Sequence, residues 1–140
     1  MADTVDKKRR SEIMSNIRGI NTKPELLVRK FLFSNGIRFR LHDRSLPAKP
    51  DIKISKYKTL IFVNGCFWHG HKNCRIYVMP KVNKKFWHEK IRTNIKRDKK
   101  RIIQLRKMGW HVYTIWGCNL EPRKRANTLL KLLNRIQRNR

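Results

Sequence analysis

Leu60-Ile-Phe-Val-Asn-Gly-Cys-Phe-Trp-His-Gly-His-Lys-Asn-Cys74 is the stretch on which the reading of the chain turns. Its apolar opening, with β-branched and aromatic residues, predicts a buried strand over residues 59–63. Two cysteines, two histidines and two adjacent rings follow at once. A buried strand that ends in soft metal ligands, imidazoles and exposed aromatics does more than support a core. Working backward, Asp51-Ile-Lys-Ile54 alternates as a short strand and residues 55–58 form a turn, giving a hairpin that opens on a carboxylate. Working forward, Asn83 caps a long helix over about residues 85–108, with Trp87, Ile91, Ile95, Ile102 and Leu105 inward and Gly109 as its stop. Residues 110–116 read as another strand, and a basic helix starts near Arg123.

Upstream, Thr22-Lys-Pro-Glu25 has the pattern of a capping box, and Leu26, Leu27, Phe31 and Leu32 follow at helical spacing up to Gly36. Residues 37–41 read as a strand and 42–49 as a loop. Ser11 caps a first short helix to about Arg18, carrying Ile13, Met14 and Ile17 on one side. The order is ααβββαβα. It predicts an α/β fold, a central mixed sheet flanked by helices, in one domain spanning 1–140.

Charge narrows the partners. Lys+Arg number 36 against 9 Asp+Glu, a formal net charge of +27 spread along the whole 140 residues. A field of that size calls for a polyanion, and nucleic acid is the natural one, with an anionic membrane surface as the lesser alternative. No apolar run reaches the roughly 20 residues a membrane helix needs, and the polar first residues do not resemble a secretion signal. Three cysteines, an odd number, argue against a disulfide framework and for metal binding in the cytoplasm.

Cys66, His71 and Cys74 form C-x4-H-x2-C, and Cys118 is the one remaining cysteine. Three thiols and an imidazole suit tetrahedral, structural zinc (Zn2+), which would hold in shape a loop poor in apolar residues. His69 is then left over, as a general base toward water or a donor to a phosphate; the competing reading exchanges it with His71 as the zinc ligand. Asp51, at a strand start after Pro50, suits a hard cation, although a turn-forming aspartate would look the same. Glu25 reads as the cap of its helix and, compatibly, as an outer partner of that cation. Phe67 and Trp68 sit in a loop too short to bury both rings, and they read as wedges that unstack base pairs. Trp87 reads either as a core residue or as a third wedge. Residues 1–20 read either as a docked helix or as a basic arm presenting Met14 and Ile17 to a DNA groove.

Taken together these residues resemble the very-short-patch-repair (Vsr) DNA mismatch endonucleases. The resemblance rests on Asp6-Lys7, Arg10-Ser11 and Met14, on Thr22 to Glu25, and on Pro50-Asp51. It continues through Ile61-Phe62, Gly-Cys-Phe-Trp-His69, Phe86-Trp87 with Glu89-Lys90, Asn94, Arg97-Asp98, Gly109-Trp110 and Trp116 with Cys118. It implies a restriction-endonuclease-like fold. It also implies a magnesium-dependent nick on the 5′ side of the thymine in a T:G mispair, such as deamination of 5-methylcytosine produces. Asp51 and the Val63 backbone carbonyl would bind magnesium (Mg2+), His69 would be the catalytic imidazole and Glu25 an outer-shell partner. Cys66, His71, Cys74 and Cys118 would hold zinc. Phe67, Trp68 and Trp87 would intercalate from the major groove, with Met14 and Ile17 in the minor groove. The implied partners are double-stranded DNA with a T:G mispair, mismatch-repair proteins and a cytosine-5 methyltransferase system, for a bacterial, nucleoid-associated monomer. The chain departs from the family in carrying Val63 for the common threonine and Asn64 for the common histidine. Lys72-Asn73 also makes the second zinc interval one residue longer. A restriction enzyme of this type cutting unmismatched sites, or a zinc-stabilised DNA-binding protein without catalysis, are the competing functions.

Overall fold

Thr22 starts the first helix of the structure, a computed structural model that describes residues 22–66, 69–71, 74 and 80–139. The expected helix over 11–18, with Met14 and Ile17, lies outside the described residues. In helix α1, Lys23–Ser34, the Thr22 side chain accepts a hydrogen bond from the Glu25 N–H at 3.4 Å, a cap worth about 1 kcal/mol. Pro24 falls in the first turn, where no intrahelical donor is lost. The inward face is Glu25, Val28 and Leu32, spaced by three and four residues. Leu26, expected inside, is 40% exposed. A carboxylate therefore takes part in the buried face, which is costly unless it is partnered.

The end of α1 explains why the next strand is short. Gly36 adopts φ +75°, the left-handed conformation of a helix stop. The N–H of Gly36 then donates to the Phe33 carbonyl and the N–H of Ile37 to that of Leu32. Ile37 is thus consumed by the cap and buried against the core rather than entering the sheet. Of the strand expected over 37–41, only β1, Arg40–Leu41, forms. β2, Ile52–Ile54, and β3, Thr59–Asn64, follow as a hairpin. Helix α2, Lys84–Lys107, then leads to β4, His111–Trp116, and α3, Pro122–Arg138, ends the described chain.

The sheet order is β1-β2-β3-β4, with the first two pairings antiparallel and β3 parallel to β4. A parallel pair needs a crossover, and α2 lies in that connection. Because side chains alternate across a strand, β3 feeds both faces. Ile61 packs with Val28, Leu32, Ile52, Ile54, Leu129, Leu132 and Ile136, so α1 and α3 cover one face. Leu60 packs with Leu105 and Val112, so α2 covers the other. Asn83 stands at the start of α2, but its left-handed backbone (φ 58°) comes with no side-chain cap. Gly109 (φ +96°) follows the helix end as expected. Among the described residues no helix is long and apolar enough to cross a membrane.

Candidate active site and metal centre

Register places Asp51. It stands just before β2, and its Oδ2 accepts a hydrogen bond from the Val63 N–H of β3 at 2.7 Å. On its other side the His42 N–H donates to the Asp51 carbonyl, extending the β1–β2 pairing by one step. The backbone of Asp51 is therefore fixed on one side and its carboxylate on the other, with Oδ1 3.9 Å from His42 Nδ1. Burial pushes the Asp51 carboxyl up to about 6; the Val63 N–H offsets part of that rise, and the negative charge of Glu25 adds to it. The Arg29 guanidinium draws the value back down.

Glu25 reaches this corner from α1. Its Oε1 lies 3.1 Å from Arg29 Nη2, an ion pair that offsets part of the cost of burying it, and 3.1 Å from His42 Nε2. Glu25, His42 and Asp51 each offer a ligand atom, all within 4.8 Å of one another. The structure thus joins two residues the sequence had singled out, Glu25 and Asp51, and adds His42, which the sequence reading left in a loop. No local motif marks His42; only the register of β1 against β2 sets it opposite Asp51.

The two histidines of the 64–74 stretch go to different places. Cys66, His71, Cys74 and Cys118 bring their ligand atoms within 4.8 Å of one another, and His71 Nδ1 lies 3.4 Å from Cys118 Sγ. His69 instead sets its Nδ1 2.6 Å from Asp98 Oδ2 on α2. Since a carboxylate accepts, the His69 proton sits on Nδ1 and Nε2 is left for chemistry. Trp116 separates the two, stacked on His71 (4.2 Å, 6°) and edge-on to His69 (6.4 Å). Gly70 makes the division possible. It has φ +61°, and a Cβ there would stand 2.5 Å from Ile95 Cδ1 and 2.8 Å from Ile91 Cγ2 of α2.

Three sulfurs and one nitrogen form a donor set that fits a closed tetrahedral zinc site. Burial raises the Cys66 thiol, and burial with the neighbouring thiols pushes Cys118 up to about 12. Crowded thiols of this kind stay protonated alone and lose their protons to solvent when a cation binds the thiolates. The cluster is built from a strand exit and the turn of helix (Gly117–Leu120) after β4, so an ion there would tie the two parallel strands' ends together.

Trp87 lies in the first turn of α2, half-buried, with its ring edge-on to Phe86 at 5.1 Å. Phe86 itself is 57% exposed. Phe67 and Trp68, and the longer interval at Lys72-Asn73, lie outside the described residues. Asp98 was part of the sequence resemblance without a role; its pairing with His69 needed the packing of α2 on the sheet to be seen.

A family profile described as DNA mismatch endonuclease Vsr matches residues 2–76. The chain is 45% identical over 135 residues to a type II nicking enzyme, V.NmeAIP, of Neisseria meningitidis, covering 94% of this chain and 96% of that protein. It is 43% identical to a type II nicking enzyme, V.XorIIP, of Xanthomonas oryzae, over 86% of this chain and 88% of the relative. It is 39% identical to the DNA mismatch endonuclease Vsr of Escherichia coli, over 89% and 80% respectively.

Proposed function

The chain belongs to the Vsr family of DNA endonucleases, and from that premise we propose that it nicks one strand on the 5′ side of the thymine in T:G mispairs. These are the lesions that 5-methylcytosine deamination leaves. Two observations carry the reading: Asp51 clusters with Glu25 and His42, and the imidazole of His69 is oriented by Asp98. One carboxylate positioned for a cation and one oriented imidazole are what a phosphodiester hydrolase requires.

In this reading Asp51 and the Val63 carbonyl hold magnesium, which supplies charge neutralisation at the scissile phosphate. The Val63 N–H keeps the Asp51 side chain aimed. His69 takes a proton at Nε2, and Asp98 keeps the imidazole in the tautomer that allows it. Glu25 acts from outside, through the groups it orients. Zinc held by Cys66, His71, Cys74 and Cys118 fixes the loop that carries His69. Phe67, Trp68 and Trp87 enter the base stack, and Met14 and Ile17 belong to an arm in the minor groove. The sheet and its helices form one restriction-endonuclease-like domain. A single nick calls for a single centre, so the protein acts as a monomer on bacterial DNA in the cytoplasm, beside mismatch-repair proteins and a cytosine-5 methyltransferase system.

A second reading has a specific support: two of the relatives above are named type II nicking enzymes. Under it the chain nicks unmismatched sites. Labelled duplexes that differ only in carrying T:G, T:A or C:G separate the two, each incubated with magnesium or with EDTA. The mismatch reading expects a magnesium-dependent nick in T:G alone, absent in Asp51→Ala although that variant still binds. Equal nicking of T:A would replace it with the second reading. Elemental analysis should give one zinc per chain, reduced in Cys118→Ser.

A further inference from the structure

The part of the corner that the proposed mechanism leaves unused is His42. It is a non-glycine residue in the left-handed conformation (φ 49°), and its N–H donates to the Asp51 carbonyl. The tautomer of its ring follows from a neighbour on α1. Arg29 Nη2 is hydrogen-bonded to His42 Nε2 at 3.1 Å, and a guanidinium can only donate. Nε2 therefore accepts, and the ring proton sits on Nδ1. Glu25 Oε1 stands 3.1 Å from Arg29 Nη2 and 3.1 Å from His42 Nε2, so its charge holds the guanidinium against the ring.

On the other edge Nδ1 faces Asp51 Oδ1 at 3.9 Å, too long for a hydrogen bond between the two. The spacing suits a third atom. Two oxygens bound at right angles to one magnesium stand about 3 Å apart, and an N–H reaches its acceptor at about 2.9 Å. An oxygen that shares a cation with Asp51 thus falls within reach of Nδ1. Solvent enters the corner from that end, the His42 and Asp51 side chains being 20% and 26% exposed against 3% for Glu25. A phosphate oxygen is the acceptor this donor selects, because it keeps lone pairs and negative charge when it binds a cation. Arg29 strengthens the donor: hydrogen bonds in a chain polarise one another, and the bond into Nε2 draws electron density away from Nδ1–H.

We propose that His42 is a further catalytic residue: its Nδ1–H donates to the phosphate oxygen that shares the cation with Asp51, and Arg29 fixes the tautomer that allows it. The proposal rests on the reading of Asp51 as the cation's carboxylate. Negative charge on the phosphate is then met from two sides, by the cation and by an imidazole that carries part of the arginine's charge forward. Position 42 permits clean variants, because glycine and asparagine both accept its left-handed backbone. His42→Gly removes the donor, and His42→Asn puts an amide nitrogen about where Nδ1 stands.

Histidine labelled with nitrogen-15 reads the tautomer by magnetic resonance, the His42 signal being the one missing from His42→Asn. In the zinc-loaded wild type Nδ1 carries the proton, and Arg29→Met moves it to Nε2. When magnesium and a nicked T:G duplex are added, the Nδ1 proton stays in place and shifts downfield. At saturating magnesium, single-turnover nicking of a T:G duplex falls about a hundredfold in His42→Gly. In His42→Asn it falls less than about tenfold, and both variants keep magnesium affinity within about threefold, since neither loses a ligand. A wild-type ring protonated at Nε2, or one that gives up its Nδ1 proton to magnesium, would overturn the proposal. So would a folded His42→Gly that nicks at the wild-type rate, or a His42→Asn no faster than His42→Gly. Magnesium affinity retained in Asp51→Ala would instead remove the reading of Asp51 on which the proposal rests, with the His42 tautomer unchanged.

Discussion

Asp51 is a residue whose chemistry and stability pull in opposite directions. Its carboxyl is raised from an ordinary value of 3.8 to about 6, first by burial and then by Glu25. A folded-state value above the unfolded one favours folding fully below about pH 4, and the advantage is lost as pH rises through about 6. Near neutrality the ion-free protein therefore carries an ionised, poorly solvated group, at a cost on the order of 1–3 kcal/mol. Asp51→Asn should melt several degrees higher than wild type at pH 7.5 in magnesium-free, zinc-replete buffer, the gap narrowing toward pH 5. The same variant should not nick at any pH. Magnesium should stabilise the wild type and leave Asp51→Asn unchanged; a variant that melts lower at pH 7.5 would contradict the account. His69 and Asp98 make a second residue-scale case. If the 2.6 Å contact works as one unit, Asp98→Ala should slow nicking about a hundredfold. In the double variant with His69→Ala it should add almost nothing, as measured by single-turnover rates.

At the scale of elements, the strands and long helices were legible in the sequence because their signals are local. The apolar run at 60–63, the Thr22 cap and the stop at Gly109 each act within a few residues, and each appears where expected. What was not legible depends on register and on packing between distant segments. Residues 37–41 have a strand's composition, yet Ile37 closes α1 and the strand shrinks to Arg40–Leu41. His42 gains its meaning only from lying opposite Asp51, and Asp98 only from the seat of α2 on the sheet. Spacing favoured His71 over His69 beside the thiols, but not where His69 would go instead; the turn at Gly70 sends the two rings to different neighbours. That glycine is the joint between α2 and the histidine loop. Gly70→Ala must both hold a left-handed backbone and displace Ile91 or Ile95, an overpacking cost of about 1–3 kcal/mol. It should lower the melting temperature, reduce zinc per chain and slow nicking together, since one loop carries His69 and His71. Loss of activity with zinc content and melting unchanged would mean that Gly70 acts on His69 alone.

Across the whole molecule, the net charge of +27 is arranged against local stability as well as in excess. The start of an α-helix carries partial positive charge and is stabilised by acidic residues. α1 follows that rule with Glu25. α2 breaks it, with no acid at its start, and α3 has none in its first turn beyond Glu121 at the N-cap. Lys84 and Lys85 open the one, Arg123, Lys124 and Arg125 the other, and in α2 no side chain caps the end. Such helix ends are costly in isolation and favourable against phosphates, which accept both the free N–H groups and the lysine charges. Binding to duplex DNA should accordingly weaken steeply with salt, each neutralised phosphate adding about 0.9 to the slope of log affinity against log salt. The exposed Lys84 and Lys85 lie within one turn of Trp87 and Phe86, so an intercalating Trp87 would bring both against the backbone of the distorted step. Lys84→Gln with Lys85→Gln should flatten that slope by about two. It should weaken T:G and matched duplexes by the same factor, and raise the melting temperature of the free protein slightly by relieving the helix end. An unchanged slope measured from 0.1 to 0.3 M salt would place the start of α2 away from DNA, and Trp87 with it.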